Sequence, residues 1–167
     1  MKTSTPTQPP ERRDRLLREQ VHDTYKQRGQ LKEPTRCPGC AAVYHKGRWS
    51  WTAEVDDTAD ETLCSACQRI ADKYPAGEVV LEGGFAMQHK DEILNLVRKI
   101  EATENKDHPM NRIIEIRELG EQLLLTTTDT HLPRRIGKAV QAAWKGSLDI
   151  HFDEGGYFTR IAWRRDE

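Results

Sequence analysis

Two pairs of cysteines limit what this chain can fold into more than any other feature. They occur as Cys37 and Cys40 and as Cys64 and Cys67, in the pattern C-x2-C-x23-C-x2-C. Each pair places two thiolates on one tight turn, and four thiolates suit one tetrahedral Zn²⁺ at about 2.3 Å. We therefore expect a single structural Zn²⁺ per chain, because four protein ligands leave no position for a catalytic water. The surrounding segment has few large aliphatic residues, so it should not fold without its metal.

Disulfide bonds and a thioredoxin-like redox site are the competing interpretations of the cysteines. Residues 1–10 are rich in Thr, Gln and Pro, whereas a secretory signal needs an apolar stretch. We therefore expect a cytoplasmic protein, in which structural disulfides are rare. A redox site would place one pair at the start of a helix in a βαβ core and would leave the other pair unexplained. The zinc interpretation accounts for both pairs.

The segment between the cysteine pairs predicts a short hairpin with its turn at Lys46-Gly47. Residues 65–74 follow Cys64 as a short helix that begins with the second pair. Two cysteine knuckles separated by a hairpin, with the second knuckle at a helix start, are the order of a treble clef, and a zinc ribbon is the alternative. Trp49 and Trp51 share one face of the hairpin, where they either stack on bases or pack between domains.

Composition excludes one large core and any membrane span. The chain has 167 residues, of which 36 % are hydrophobic and 32 % charged, and no apolar run approaches the ~20 residues of a transmembrane helix. From Gly77 onward, the apolar pattern gives the order β-α-β-β-α-β with an added edge strand. That order predicts a ferredoxin-like, split βαβ domain. Asp91 is expected to cap its first helix, and Asp129-Thr130 its second.

The predicted fold class is therefore α+β, with a treble-clef or zinc-ribbon module followed by the ferredoxin-like domain. The boundaries are a flexible basic N-terminal arm at residues 1–36, the four-cysteine zinc module at 37–76 and the ferredoxin-like domain with its extra edge strand at 77–167. The arm contains helix-forming residues but only a thin apolar stripe, which is typical of a solvated tail.

A formal net charge of −1 conceals an uneven distribution of charge along the chain. Nine basic and five acidic residues give +4 at residues 1–36, eight and thirteen give −5 at 37–111, and nine of each give 0 at 112–167. The average therefore does not argue against a polyanionic partner such as RNA.

The second predicted helix of the large domain has a cationic face and contains no acidic residue. A face of one sign forgoes ion pairs of about 0.2–0.5 kcal/mol each, which contacts with phosphate would replace. The alternative is an ordinary solvated face. The residues predicted to contact RNA are Arg134, Arg135, Lys138 and Lys145 on this helix, Arg12, Arg13, Arg15 and Arg18 in the arm, and Arg48 in the hairpin.

Two other classes of function stay open. Glu104 and His108 stand one helical turn apart and, with His131, are candidates for a metal-dependent hydrolase or nuclease. Pro109 directly follows His108, however, and no local pattern brings His131 to that helix. The third class is a protein–protein adaptor that uses the arm and the acidic loop at residues 56–61. One zinc per chain favours the binding protein, and a second labile ion favours the hydrolase.

Several segments of the sequence resemble one protein family. They are residues 37–44, 47–49, 64–67, 75–77, 108–109 and 126–137. They are similar to small prokaryotic zinc-binding proteins grouped with the nonsense-mediated-decay-type adaptor of the large ribosomal subunit, over most of residues 23–165. The larger adaptor binds the large subunit through its zinc region and neighbouring β domains. The resemblance implies a non-catalytic ribosome- or rRNA-binding factor, acting in assembly, stability or translational silencing, with no membrane or small-molecule partner.

Two positions depart from the family pattern. Ala41 follows the first knuckle, where zinc knuckles often have glycine, and Pro133 stands where the family is expected to have alanine. Proline is tolerated in the first turn of a helix, and neither position is a metal ligand.

Overall fold

The computed structural model describes Tyr25, residues 31–51 and residues 54–167. The strands are β1 (Thr35–Arg36), β2 (Val43–His45), β3 (Arg48–Ser50), β4 (Asp60–Glu61), β5 (Gly77–Glu82), β6 (Ile113–Leu119), β7 (Gln122–Thr127), β8 (Ser147–Phe152) and β9 (Thr159–Arg164). The helices are α1 (Ser65–Asp72), α2 (Gly84–Gln88), α3 (Lys90–Asp107) and α4 (Leu132–Trp144). The arm residues Arg12, Arg13, Arg15 and Arg18 lie outside the described residues.

A small four-stranded sheet in the order β3-β2-β1-β4 carries the cysteines. It begins at Thr35, and we call the part of the chain from Thr35 to residue 74 the cysteine module. The predicted hairpin is β2 and β3, joined at Lys46 and Gly47, whose φ values of 52° and 76° are the positive pair that a type I′ turn requires. The Glu33 carboxylate accepts hydrogen bonds from both turn N–H groups at 2.9 Å. The turn is thereby tied to the strand that precedes the first knuckle.

A larger five-stranded sheet has the order β6-β7-β5-β9-β8, and residues 77–167 around it form what we call the sheet domain. Strand β7 lies between β5 and β6 and is antiparallel to both. Strands β5 and β6 are therefore parallel, with α2 and α3 connecting them, and this half of the domain is a split βαβ unit. The complete fold is mixed α+β.

The predicted ferredoxin-like order is not confirmed in the second half of the sheet domain. Strand β9 lies beside β5 and parallel to it, and β8 forms the edge. The reason is burial. Ile161 and Trp163 of β9 are completely buried, whereas Ile150 and Phe152 of β8 are 37 % and 47 % exposed. The more apolar strand takes the inner position, where more of its surface is removed from water.

The core of the sheet domain lies between one face of the large sheet and the helices. Alternate residues of the three inner strands face the helices and are buried, namely Val79, Leu81, Leu123, Leu125, Ile161 and Trp163. The helices meet them with Ile93 and Val97 of α3 and with Ile136 and Val140 of α4. Each such side chain contributes about 1.5–3 kcal/mol by leaving water. The helices therefore sit on a fixed apolar surface and present their outer faces to solvent.

The two long helices begin differently from one another. The prediction for Asp91 was wrong, because α3 already begins at Lys90 and Asp91 lies within its first turn. Helix α2 leads almost directly into α3 and leaves no extended residue to act as the cap. At α4, Asp129 Oδ2 accepts hydrogen bonds from the N–H groups of His131 and Leu132 at 2.7 and 3.0 Å. Asp129 thus accepts from N–H groups at the start of α4 as a cap would, but the N-cap residue is His131 and not the predicted Asp129-Thr130.

Candidate metal centre and basic groove

The four cysteine sulfurs form one cluster. They lie within 4.8 Å of one another, and the Sγ atoms of Cys40 and Cys64 are 3.8 Å apart. A tetrahedron of sulfurs about 2.3 Å from a central ion has edges of about 3.8 Å. All four cysteines are free of disulfides. The cluster therefore has the ligand set and the dimensions of a metal site.

Local backbone geometry positions the sulfurs. The N–H of Cys64 donates to Cys37 Sγ, and the N–H of Cys67 donates to Cys64 Sγ, both at 3.3 Å. Cys64 thus caps α1 with its own sulfur. A Cβ atom at Gly39 would lie 3.0 Å from Cys67 Sγ, so the first knuckle needs a residue without a side chain there. The two knuckles approach each other closely because of these contacts.

The thiol groups do not ionise equally. Burial opposes ionisation of Cys37, but N–H groups of Cys64, Cys40 and Gly39 donate toward it and lower the pKa of its thiol to about 7. Burial raises the pKa of Cys64 and of Cys67. Thiolates this close repel one another, so complete ionisation of the cluster requires a cation at its centre.

Arg112, which precedes β6 in the sheet domain, was missed by sequence reasoning. Its Nη2 donates to the sulfurs of Cys40 and Cys64 at 3.2 and 3.4 Å, and its Nη1 donates to Cys67 at 3.4 Å. Forty-five residues separate Arg112 from the nearest of these cysteines along the chain. No local pattern indicates such a contact, since an arginine before a strand is ordinary.

Two further contacts join the cysteine module to the sheet domain. The indole N–H of Trp51 donates to the carbonyl oxygen of Asn105 at the end of α3, at 2.6 Å. The Ser65 hydroxyl donates to Met110 Sδ at 3.3 Å, and Met110 packs against the buried cysteines. Trp51 was predicted either to stack on bases or to pack between domains, and the structure shows it in contact between the two domains.

A second feature is a groove of about 650 Å³ between α3 and α4. It is lined by Lys99, Ile100, Thr103 and Glu104 of α3, by His131 before α4, and by Arg134, Arg135, Lys138 and Ala139 of α4. Glu104 contributes the single carboxylate of this lining, is buried, and pairs with Arg135 Nε at 2.7 Å. All but one of the charged side chains Lys99, Glu104, Arg134, Arg135 and Lys138 of the lining are therefore cationic, and we call it the basic groove.

The predicted RNA contacts divide into two sets. Arg134, Arg135 and Lys138 meet in the basic groove, whereas Lys145 and Arg48 are exposed outside it. The guanidinium of Arg134 lies 5.5 Å from the ring centroid of Phe152, and its Nε is buried without a hydrogen-bond partner. In the part of the chain that the structure describes, no carboxylate lies within ion-pair distance of Arg134 or Lys138. Sequence reasoning missed Lys99, because only the tertiary structure shows that α3 lies beside α4.

The residues of the hydrolase hypothesis do not assemble into a metal site. Glu104 and His131 both line the basic groove, but His108 lies at the end of α3 and is not part of the lining. The Glu104 carboxylate is occupied by Arg135 and by Asn111, whose amide donates at 3.4 Å. Among the described residues, the four cysteines are the one group of three or more side chains suited to hold a metal ion.

The fold and the site together define an α+β protein with two mixed sheets and a four-thiolate cluster. Comparison of the chain with family models, with curated proteins and with solved structures found no match. Within the described ranges, none of the helices combines the length and the hydropathy that a membrane span needs.

Proposed function

We propose that this chain is a zinc-stabilised RNA-binding protein and that the basic groove holds the RNA backbone. The observation that carries the proposal is the charge of the groove. Four basic side chains, Lys99, Arg134, Arg135 and Lys138, face one carboxylate, Glu104, which leaves an excess of +3 with His131 neutral. Cations held close together on packed helices repel one another, and phosphate groups relieve that repulsion by replacing their counterions.

The surroundings of the basic groove favour a single strand over a duplex. Ile100 and Ala139 give the groove an apolar floor, which suits sugars and bases rather than phosphates. Phe152 lies against Arg134 at the adjoining edge strand and is 47 % exposed. Exposed aromatic rings beside cations are the usual platform for unpaired bases, with stacking worth about 1–3 kcal/mol per base.

The metal of the cluster is proposed to be zinc in a structural role. A tetrahedral set of four thiolates suits Zn²⁺ and, of the common alternatives, iron. Four protein ligands leave no open position for a reacting water. The hairpin lies between the two knuckles and α1 begins at the second one, which is the arrangement of a treble-clef or ribbon-type module. Such thiolates persist in a reducing compartment, which is why the proposal places the protein in the cytoplasm.

We propose the ribosome as the partner, and this choice rests on the resemblance of most of residues 23–165 to the ribosome-associated family. Ribosomal RNA offers the single-stranded, phosphate-rich surface that the basic groove would recognise.

The test is binding of a fluorescent single-stranded RNA of about 20 nucleotides, measured by anisotropy. Arg134→Glu and Lys138→Glu should each weaken binding about tenfold or more. Arg117→Glu is the matched control, because Arg117 is exposed on the sheet face opposite the helices. Equal affinity of all three variants would exclude the groove as the RNA site.

Salt dependence provides a second readout of the same proposal. Four phosphate contacts on a single strand predict that affinity falls roughly 50-fold between about 50 and 200 mM salt. Sedimentation of a lysate then tests the ribosome separately. The protein should travel with large-subunit fractions in low salt and leave them in high salt. A protein that stays at the top of the gradient in low salt contradicts ribosome binding, while the anisotropy result still decides RNA binding.

A further inference from the structure

We propose that Arg112 caps the metal centre, closing its solvent-facing side and joining the cysteine module to the sheet domain through the cluster itself. All four ligands come from residues 37–67, yet the guanidinium that contacts them comes from residue 112. The sheet domain thereby supplies part of a site that the local sequence of the knuckles leaves incomplete. This inference rests on the proposed metal site but not on the proposed RNA binding.

The contacts of Arg112 identify which side of the cluster it covers. A tetrahedron of four sulfurs has four triangular faces, and Arg112 donates to the three sulfurs of one face, those of Cys40, Cys64 and Cys67. Cys37, which is completely buried, is the remaining vertex. The two cysteines that are partly exposed, Cys40 and Cys67, both belong to the capped face. The guanidinium therefore lies where water or a competing chelator would approach.

The side chain of Arg112 is held in place from several directions. Its Nε donates to the carbonyl oxygen of Pro109 at 2.7 Å, and its backbone N–H donates to Thr128 Oγ1 at 2.9 Å. The Thr128 hydroxyl donates in turn to the carbonyl oxygen of Met110 at 2.5 Å. The indole ring of Trp51 lies on another side, 5.9 Å from the guanidinium carbon. Arg112 is thus held toward the cluster by contacts with Pro109, Thr128 and Trp51.

Charge and shape explain why an arginine is suited to this position. Four thiolates around a divalent ion carry a net charge of −2, and an adjacent guanidinium halves it. A half-buried anionic cluster is stabilised by a cation that also donates hydrogen bonds. The two Nη atoms of a guanidinium lie one bond farther along the side chain than the ammonium of lysine, and its Nε adds the donor that holds the group to Pro109, which lysine lacks.

The test compares metal release from Arg112→Gln, Arg112→Lys and the control Arg117→Gln, each in the full-length chain loaded with zinc. Substitution of a residue that hydrogen-bonds to metal ligands typically changes metal affinity by about 10–100-fold. We expect Arg112→Gln to raise the rate of zinc transfer to an excess of chromophoric chelator by about that factor and Arg112→Lys to give an intermediate rate. Arg117→Gln, on the exposed side of β6, should release zinc at the wild-type rate.

A spectroscopic measurement separates capping from a general loss of stability. In the Co²⁺-substituted protein, loss of hydrogen bonds to the sulfurs should shift the thiolate-to-cobalt absorption band of Arg112→Gln, while the band of Arg117→Gln stays in place. A wild-type release rate together with an unshifted band in folded Arg112→Gln overturns the proposal. Where Arg112→Gln does not fold, Arg112→Lys takes its place, and a wild-type rate and band in that variant overturn the proposal equally, since its ammonium stops one bond short of the Nη positions and lacks the Nε donor to Pro109.

Discussion

Ala41 occupies a backbone conformation that suits glycine better. Its φ is 66°, and its N–H donates to the carbonyl oxygen of Cys37 at 2.9 Å to close the first knuckle. A Cβ atom in the left-handed region crowds the following carbonyl oxygen at a cost of about 1–2 kcal/mol. The departure from the usual knuckle glycine, noted from the sequence, therefore has a physical consequence in the folded module.

Ala41→Gly should stabilise the cysteine module by about 1 kcal/mol, because it relieves this crowding without removing a buried group. Ala41 is exposed, whereas the neighbouring Ala42 is completely buried and is absent from the positions with positive φ. Ala42→Gly should therefore destabilise the module. Thermal unfolding of the zinc-loaded protein measures both changes. A lower midpoint for Ala41→Gly than for wild type would contradict the argument.

Asp129 is a second residue whose environment sets a measurable property. Burial raises the pKa of its carboxyl group, and Glu104 acts in the same direction, while the N–H groups of Leu132 and His131 and the His131 ring oppose it. Its Oδ1 is buried without a hydrogen-bond partner. The folded chain consequently binds the proton of Asp129 more tightly than the unfolded chain does.

The sign of the pH dependence follows from this difference in proton binding. A raised folded-state pKa means that the free energy of unfolding rises as pH falls from the folded value toward the ordinary value of 3.8. Wild type should therefore gain stability relative to Asp129→Asn as the pH is lowered from about 7 to about 4.5. Urea unfolding of both proteins at the two pH values measures the gain. A difference between the two proteins that is constant or shrinks contradicts the assigned direction.

At the scale of elements, the position of α4 on the sheet depends on one small residue. A Cβ atom at Gly137 would lie 2.6 Å from Ile161 Cγ2 and 3.0 Å from Leu148 Cδ1. Glycine inside a helix costs about 1 kcal/mol relative to alanine. The absence of a side chain at Gly137 lets α4 approach β8 and β9 closely. This approach places the cations of α4 opposite α3.

Gly137→Ala should destabilise the sheet domain by about 1 kcal/mol net, because overpacking of about 1–3 kcal/mol exceeds the gain in helix propensity. Ala142→Gly, at an exposed position of the same helix, calibrates propensity alone and should cost about 1 kcal/mol. Urea unfolding gives both values. Stabilisation by Gly137→Ala would show that α4 can move away from β9 freely.

For the whole molecule, the two sheets differ in what holds them together. The cysteine module has a buried cluster made of Cys37, Cys64 and Ala66, with a few partly buried side chains around it. The sheet domain has a continuous core of twelve buried hydrophobic residues. We therefore expect the stability of the first to depend on a bound metal, and the stability of the second to depend on burial of apolar surface.

Removal of the metal should unfold the cysteine module and leave the sheet domain folded. In hydrogen exchange after chelation, the amides of β2 and β3 should lose protection, and those of β5, β7 and β9 should keep it. Readdition of Zn²⁺ should restore the lost protection. Unchanged protection of β2 and β3 would show that the module does not need its metal, and loss of protection in both sheets would show one cooperative unit.

Local features of the fold were predictable from the chain alone. The hairpin at Lys46 and Gly47, the helix after Cys64 and the hydrogen bonds of Asp129 at the start of α4 all depend on residues within a few positions of one another. Long-range arrangements were not predictable in the same way. The pairing of β9 with β5 and the short helix α2 before α3 are two examples. Local sequence patterns fit several arrangements of these elements equally well, and the arrangement that buries the most apolar surface is favoured.

The sequence by itself determined the four cysteines of the candidate metal site and the cationic face of α4, because two cysteines on one turn and charges at helical spacing are local facts. Only the tertiary structure decided that Lys99 faces that helix and that Arg112 reaches the sulfurs. Both contacts join residues brought together by the packing of distant elements, and that packing is set by the apolar core rather than by the residues that meet at its surface.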